Sequence, residues 1–185
     1  MPANIEIKAR IEDFEATCSM ASKIADDPKA AILEQKDTFF VANNGRLKLR
    51  QQKDGRQKEG DEPSPLTFAE LIAYDRSDKE GPKQSTYVKS KIGDPESLEI
   101  VLAASCGVKG VVQKVRHLYL VDQTRIHLDR VEGLPGAFLE LEVVMKEDQS
   151  VEDGKKIAEE LMGKLNVMES DLIAGAYMDM LNVKE

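Results

Sequence analysis

Cysteine, histidine and tryptophan are scarce in this 185-residue chain, which has two cysteines, two histidines and no tryptophan. Two thiols, Cys18 and Cys106, are too few for a disulfide framework, and we expect both to be reduced, as in a cytoplasmic protein. With His117 and His127 as the only imidazoles, a zinc site of the usual Cys/His kind is not expected. A metal should therefore be a hard cation held by carboxylates, such as Mg²⁺ or Mn²⁺.

Long apolar runs and an N-terminal signal pattern are also missing, so we expect no membrane association. The formal net charge of −8 argues against binding to long nucleic acid. The sequence contains no Walker A loop, dinucleotide-binding glycine pattern or nucleophile elbow, and a phosphate site would have to be built from side chains. With 41% hydrophobic and 32% charged residues, the composition is that of one globular domain, which we expect to span residues 1–185.

What the chain does have is charge on alternate residues of its predicted strands. Successive strand side chains point to opposite faces, so each alternating set lines one side of a sheet. The basic members are Lys8, Arg10, Arg46, Lys48, Arg50, Arg76, Lys114, Arg116 and Arg125. For any single strand, a solvated sheet face is the favoured explanation of this pattern. Single-sign sets on several strands repel one another unless an anion lies between them, which favours a binding site for a polyanion.

Hydrophobic periodicity predicts how these strands are covered. Helices are predicted over residues 14–26, 151–164 and 170–181, with another beginning at Asp94, and the polar segment 53–65 is predicted to be a loop. Amphipathic helices need an apolar surface to cover. A sandwich would turn the charged strand faces to water, whereas a closed barrel turns them inward and offers its apolar outer face to the helices. We therefore predict an α+β fold: an antiparallel closed β-barrel with helices packed outside.

Carboxylates form a second candidate group. Glu140 and Glu142 lie two residues apart on one strand and reach the same side, and Glu6 and Asp129 could join them from other strands. Carboxylates on a rigid sheet suit Mg²⁺ or Mn²⁺, with phosphate oxygens completing the coordination shell. The alternative is that they form salt bridges with the neighbouring basic residues. For His127, a structural role is favoured over one in the lumen.

The first strand carries the motif Asn4-Ile5-Glu6-Ile7-Lys8, and further charged motifs follow in order along the chain. They are Gly45-Arg46-Leu47-Lys48-Leu49-Arg50, Leu71-Ile72-Ala73-Tyr74-Asp75-Arg76, Gly81-Pro82-Lys83, Lys114-Val115-Arg116, Arg125-Ile126-His127-Leu128-Asp129 and Leu139-Glu140-Leu141-Glu142. This ordered set resembles that of a known superfamily, the CYTH proteins or triphosphate tunnel metalloenzymes, whose first-strand signature is E-x-E-x-K. The segment 171–177 resembles the subgroup that includes class IV adenylyl cyclase-like proteins.

The resemblance implies an eight-stranded antiparallel tunnel and a small-molecule triphosphate ligand. It implies that Lys8, Lys48, Arg50, Arg76, Lys114, Arg116 and Arg125 contact phosphate, and that Glu6, Glu140 and Glu142 hold the metal with Asp129 close by. We assign Lys8 the catalytic role of orienting the attacking water or the terminal phosphoryl group. Asn4 departs from the pattern, because it offers a neutral carbonyl oxygen where the family has a carboxylate. Glu70 could compensate for the carboxylate that is missing at position 4.

Three functional hypotheses follow. The first is metal-dependent hydrolysis of inorganic tripolyphosphate, thiamine triphosphate or a nucleoside triphosphate. The second is a class IV adenylyl cyclase that forms cyclic AMP and pyrophosphate from ATP. The third is a non-catalytic module that binds polyphosphate or a nucleotide. Whether the protein is a homodimer is left open.

Overall fold

The computed structural model describes residues 3–55, 66–76 and 80–182 of the chain. Its strands are β1 (Ala3–Ile11), β2 (Ala31–Phe40), β3 (Arg46–Asp54), β4 (Leu66–Arg76), β5 (Lys83–Lys91), β6 (Val108–Val121), β7 (Thr124–Val131) and β8 (Ala137–Val144). Its helices are α1 (Phe14–Ile24), α2 (Pro95–Cys106), α3 (Val151–Lys164) and α4 (Tyr177–Asn182), with a 3₁₀ turn over Glu169–Asp171. Part of the predicted loop, residues 56–65, lies outside the described residues.

The eight strands close into one antiparallel barrel in the order β1-β5-β4-β3-β2-β6-β7-β8, and β8 returns to β1. The closure is visible at Glu6, which lies opposite Lys83 of β5 on one side and opposite Glu142 of β8 on the other. The prediction of an α+β closed barrel with external helices is therefore confirmed.

Apolar side chains of the outer barrel face form the core against the helices. Ile5 and Ile7 of β1 alternate with the inward-facing residues and are at most 1% exposed. They belong to a cluster that includes Phe14 of α1 and Leu161 of α3. Burying an aliphatic side chain of this size contributes roughly 1.5–3 kcal/mol. Helix α3 approaches β1 so closely that a Cβ on Gly154 would stand 2.6 Å from Ile5 Cγ1.

The helices begin where the sequence places capping residues. Asp13 and Asp94 each accept a hydrogen bond from a backbone N–H of the first turn of α1 and α2. Ser150 and Asp153 form a reciprocal capping box at the start of α3, which has the predicted bounds. Cys18 in α1 and Cys106 at the end of α2 are free thiols, as expected.

The predicted helix over residues 170–181 is wrong for most of its length. Only Tyr177–Asn182 is α-helical, since Glu169–Asp171 forms a 3₁₀ turn and the next two residues bond to strand β1. Leu172 forms a β-bridge with Ala9, and the Ile173 backbone N–H donates to the Lys8 carbonyl at 3.0 Å. The apolar spacing that suggested a helix here comes from side chains that cover the barrel end. No helix among the described residues is long and apolar enough to span a membrane.

Candidate functional site in the barrel lumen

A cavity of about 260 Å³ occupies the lumen, and inward-facing residues of all eight strands line it. The alternation of the strands places most of the charged set inside, but Arg10 is exposed and neither Arg10 nor Arg46 lines this cavity. The predicted site residues that line this cavity are Glu6, Lys8, Lys48, Arg50, Arg76, Lys114, Arg116, Arg125, Glu140 and Glu142. Asp129 is fully buried and does not line the cavity.

Three of the predicted cations converge on Asp37 of β2, which is 1% exposed. Arg50 donates from Nε and Nη2 to the two carboxylate oxygens, each at 2.7 Å. Lys48 Nζ and Lys114 Nζ lie 3.0 and 3.3 Å from Asp37 Oδ2. Burial opposes ionisation of Asp37, but the three cations hold its pKa well below the ordinary value. With Lys48 protonated, three positive charges against one negative charge leave this group at +2.

Within this group Lys48 exchanges its proton near neutral pH. Burial and the positive charges of Arg50 and Lys114 lower its pKa to about 7, although Asp37 acts in the opposite direction. The Lys48 ammonium also lies 5.5 Å from the ring centroid of Phe39 and 5.4 Å from that of Tyr74. An additional anion in the lumen would therefore favour the protonated form of this lysine.

Elsewhere in the lumen the predicted cations and carboxylates are paired. Lys8 Nζ lies 2.9 Å from Glu140 Oε1. The other pairs are Arg76 with Glu6 at 2.8 Å, Arg125 with Glu142 at 2.9 Å, and Arg116 with Asp129 at 2.6 Å. These four positive charges are matched by four carboxylates, while Lys83, opposite Glu6, and Lys89 add further positive charge to the cavity wall. The carboxylates are the groups that could hold a metal cation.

His127, Glu140 and Glu142 form a group that could hold such a cation, since one ligand atom from each lies within 4.8 Å of the others. His127 Nδ1 is 3.9 Å from Glu140 Oε2 and 3.8 Å from Glu142 Oε1, and it has no hydrogen-bond partner. Burial, followed by Arg116, lowers the pKa of His127, which favours the neutral imidazole that can bind a metal. An octahedral ion with bonds of about 2.0–2.1 Å places its ligand atoms about 3–4 Å apart, so the group fits a divalent metal.

Glu140 is held in its charged form at the centre of this region. Burial opposes ionisation, but Lys8 and Arg116 hold the Glu140 pKa well below its ordinary value. Arg116 Nη2 donates to Glu140 Oε2 at 2.7 Å and also forms a bidentate pair with Asp129. Asp129 therefore lies behind Arg116, and the structure does not bring it into the His127 group.

Three further residues bear on the predicted metal site. Asn4 is 4% exposed and lines the cavity, and its Oδ1 atom has no hydrogen-bond partner. A buried acceptor without a donor suits a cation. Glu6 lies opposite Glu142 in the barrel but is bound to Arg76. Glu70 lies opposite Arg50 on β4 and lines the cavity outside the His127 group.

Sequence reasoning missed two residues of the lumen, Asp37 and Tyr177, and favoured a structural role for His127. A signal for Asp37 was available in the turn at residues 43–45, because a hairpin there pairs β2 with the single-sign basic strand β3 and sets Asp37 opposite Arg50. A lone acid facing the same side had to meet those cations. Tyr177 gave no such signal, since its position depends on how the chain crosses the barrel end.

Comparison with known proteins gave a match to the family model described as CYTH domain, over residues 2–177. No curated protein sequence matches the chain. Among solved structures, the PH1012 protein from Pyrococcus horikoshii OT3 is 26% identical with a TM-score of 0.76, and the match covers 97% of this chain and 99% of that one.

Two more distant structures share the fold. A candidate adenylate cyclase from Vibrio parahaemolyticus is 16% identical, with a TM-score of 0.70 and coverage of 97% of this chain and 98% of that chain. HpAC1 from Hippeastrum, a candidate adenylyl cyclase described as having a dominant triphosphatase activity, is 16% identical with a TM-score of 0.62. That match covers 97% of this chain and 95% of HpAC1.

Proposed function

We propose that this chain, which belongs to the CYTH domain family, is a metal-dependent enzyme that hydrolyses a triphosphate bound in the barrel lumen. One observation carries the proposal: a net-positive cation group and a group suited to a divalent metal line the same cavity. The description of HpAC1 as having a dominant triphosphatase activity agrees with this choice over cyclisation.

The cations would bind the phosphate chain. Lys48, Arg50 and Lys114 form the net-positive end of the lumen, and guanidinium groups can bind phosphate oxygens in a bidentate manner. The other proposed phosphate ligands are Arg76, Arg116 and Arg125. In phosphoryl transfer, catalysis comes mainly from positioning and electrostatic stabilisation, and a set of charges fixed on a rigid barrel supplies both.

Lys8 is the proposed catalytic residue. Its ammonium contacts Glu140 of the candidate metal group and lies over the ring of Tyr177, which Lys114 of the cation group also approaches, so Lys8 lies between the two groups. From there Lys8 would orient the terminal phosphoryl group or the attacking water through its remaining N–H donors. In this scheme Asp129 orients Arg116 instead of binding the metal.

The residues proposed to hold the metal are Glu140, Glu142 and His127, with Glu6 and Asn4 nearby. A bound divalent ion would supply positive charge that offsets the charge developing on the phosphoryl oxygens. Because Mg²⁺ prefers an all-oxygen shell and His127 offers a nitrogen, we propose that Mn²⁺ supports activity better than Mg²⁺.

The test is to incubate the protein with tripolyphosphate, thiamine triphosphate or ATP and either metal, and to measure released phosphate. We expect phosphate from at least one substrate with Mn²⁺ and none with a chelator present. The variant Lys48→Ala should lose most of this activity while keeping its fold. Cyclic AMP and pyrophosphate from ATP would instead identify a cyclase, and tight tripolyphosphate binding without turnover would identify a binding module.

Binding of the phosphate chain is expected to weaken as the pH rises through 7. Lys48, with its pKa lowered to about 7, is protonated below that pH and loses its charge above it. If the bound anion raises this pKa by about two units, the affinity attributable to Lys48 falls about tenfold between pH 6 and pH 8. Calorimetry of tripolyphosphate binding without metal measures this dependence.

The matched control for this pH dependence is Lys48→Arg, which keeps its positive charge throughout the range. Ionisation of tripolyphosphate itself affects both proteins equally, so the difference between the two pH profiles isolates Lys48. Identical profiles would contradict the assignment of this lysine to the phosphate chain.

A further inference from the structure

Residues 172–177 cross one end of the barrel and contact several of the proposed site residues. Besides the backbone hydrogen bond from Ile173 to Lys8, the Gly175 carbonyl accepts a hydrogen bond from Arg76 Nη2 at 3.3 Å. The backbone then brings Tyr177 into the lumen, where it lines the cavity and is 5% exposed. Residues 172–177 are therefore part of the wall of the site.

Tyr177 makes two separate polar contacts from this position. Its ring centroid lies 3.8 Å from Lys8 Nζ, and its hydroxyl donates to Asp129 Oδ2 at 2.7 Å. Burial, together with Asp129 and Glu140, raises the Tyr177 pKa well above its ordinary value, so the side chain is a neutral phenol that keeps its proton and donates a hydrogen bond. The ring thus faces the catalytic lysine while the hydroxyl faces the carboxylate that orients Arg116.

These contacts restrict the ammonium of Lys8 in a way that Glu140 alone does not. A lysine side chain has four rotatable bonds between its backbone and its ammonium, so a single salt bridge leaves the position of the ammonium poorly defined. The face of an aromatic ring attracts a cation and fixes where it can lie, most strongly where water is excluded. Lys8 Nζ has both contacts, and its side chain is 3% exposed.

We propose that Tyr177 is a positioning residue for Lys8, and that its ring holds the ammonium where the terminal phosphoryl group is bound. This inference rests on the proposed hydrolysis and assigns the positioning of Lys8 to the segment 172–177. Of the other proposed phosphate ligands, Lys114 lies further from the Tyr177 ring, with Nζ 5.7 Å from its centroid, so loss of the ring should affect turnover much more than substrate binding.

The test separates the ring from the hydroxyl with paired variants assayed on tripolyphosphate with Mn²⁺. Tyr177→Leu and Tyr177→Met remove the ring, and we expect kcat to fall about 10- to 100-fold with KM changed by less than about twofold, as for a misplaced catalytic group. Tyr177→Phe keeps the ring and should retain kcat within about threefold of the wild type. Tyr119→Leu removes a tyrosine that is equally buried but lies outside the lumen, and it should leave kcat unchanged.

Thermal unfolding of each variant shows whether it is folded at the assay temperature, and Tyr177→Met serves if the leucine variant is not. Wild-type kcat in the folded ring-free variants would overturn the inference, as would an equal loss in Tyr177→Phe or a rise in KM alone. Any of these with an active wild type leaves the proposed function standing. A wild type that hydrolyses no triphosphate overturns the proposed function and this inference together.

Discussion

Replacing Glu142 by glutamine is expected to lower Mn²⁺-dependent triphosphate hydrolysis by about 100-fold or more, since even residues behind a metal ligand contribute about 10- to 100-fold. Glu142 and Glu140 supply the negative charge of the candidate metal group, because His127 is neutral. The amide keeps the shape of the side chain but removes half of that negative charge. The affinity of a site for a hard cation falls when its ligands carry less negative charge.

Glu142 is a better choice for this experiment than Glu140. The Glu140 carboxylate pairs with Lys8 and also contacts Arg116, whose side chains are each 3% exposed, so its loss would leave the buried charge of Lys8 unpaired. Breaking a buried ion pair typically costs about 3–5 kcal/mol and would confuse stability with activity. Glu142 pairs with Arg125, whose side chain is 31% exposed and can be hydrated when the partner is lost.

The measurement is kcat/KM for tripolyphosphate as a function of Mn²⁺ concentration, together with calorimetric titration of Mn²⁺ alone. Glu159→Gln, an exposed change on α3, serves as the charge-matched control and should behave as the wild type. A Glu142→Gln protein that binds Mn²⁺ with unchanged affinity would contradict the assignment of Glu142 to the metal.

The inward face of each strand could be predicted from sequence because strand side chains alternate strictly, and the helices indicated which face had to be apolar. That reasoning placed Lys8, Lys48 and Glu140 in one lumen. It could not state which residues meet, because register between strands far apart in the chain is set by the closed hydrogen-bond ladder. The pairing of Lys8 with Glu140, 132 positions later, is a property of that closure.

Differences in burial among the charged residues also could not be predicted from the sequence. Asp129 and Glu140 both follow the inward alternation, yet Asp129 is fully buried behind Arg116 while Glu140 lines the cavity. The difference depends on Tyr177, whose hydroxyl contacts Asp129 from the chain segment that was predicted to be helical. Because residues 170–176 were wrongly predicted to be helical, the sequence did not indicate that this segment forms one wall of the site.

Asp37→Asn is expected to lower the free energy of unfolding by about 3–5 kcal/mol when no polyanion is present, the typical cost of breaking a buried ion pair. For a chain of this length that corresponds to a fall of roughly 10 °C in Tm. The reason is that Arg50 and Lys114 would then repel each other without an anion between them, while Lys48, whose pKa Asp37 raises, would lose its charge in the buried site.

Tripolyphosphate should reverse this effect, because it supplies the negative charge that the variant has lost. A ligand at about 100 times its Kd stabilises the folded state by about 2.7 kcal/mol, and tighter binding to the more positive lumen increases that gain. The experiment is thermal unfolding at low ionic strength with and without tripolyphosphate, with the exposed Asp75→Asn of β4 as control. An equal rise in Tm for Asp37→Asn and wild type would mean that the anion binds elsewhere, whereas a larger rise in the variant would locate the phosphate chain among these three cations.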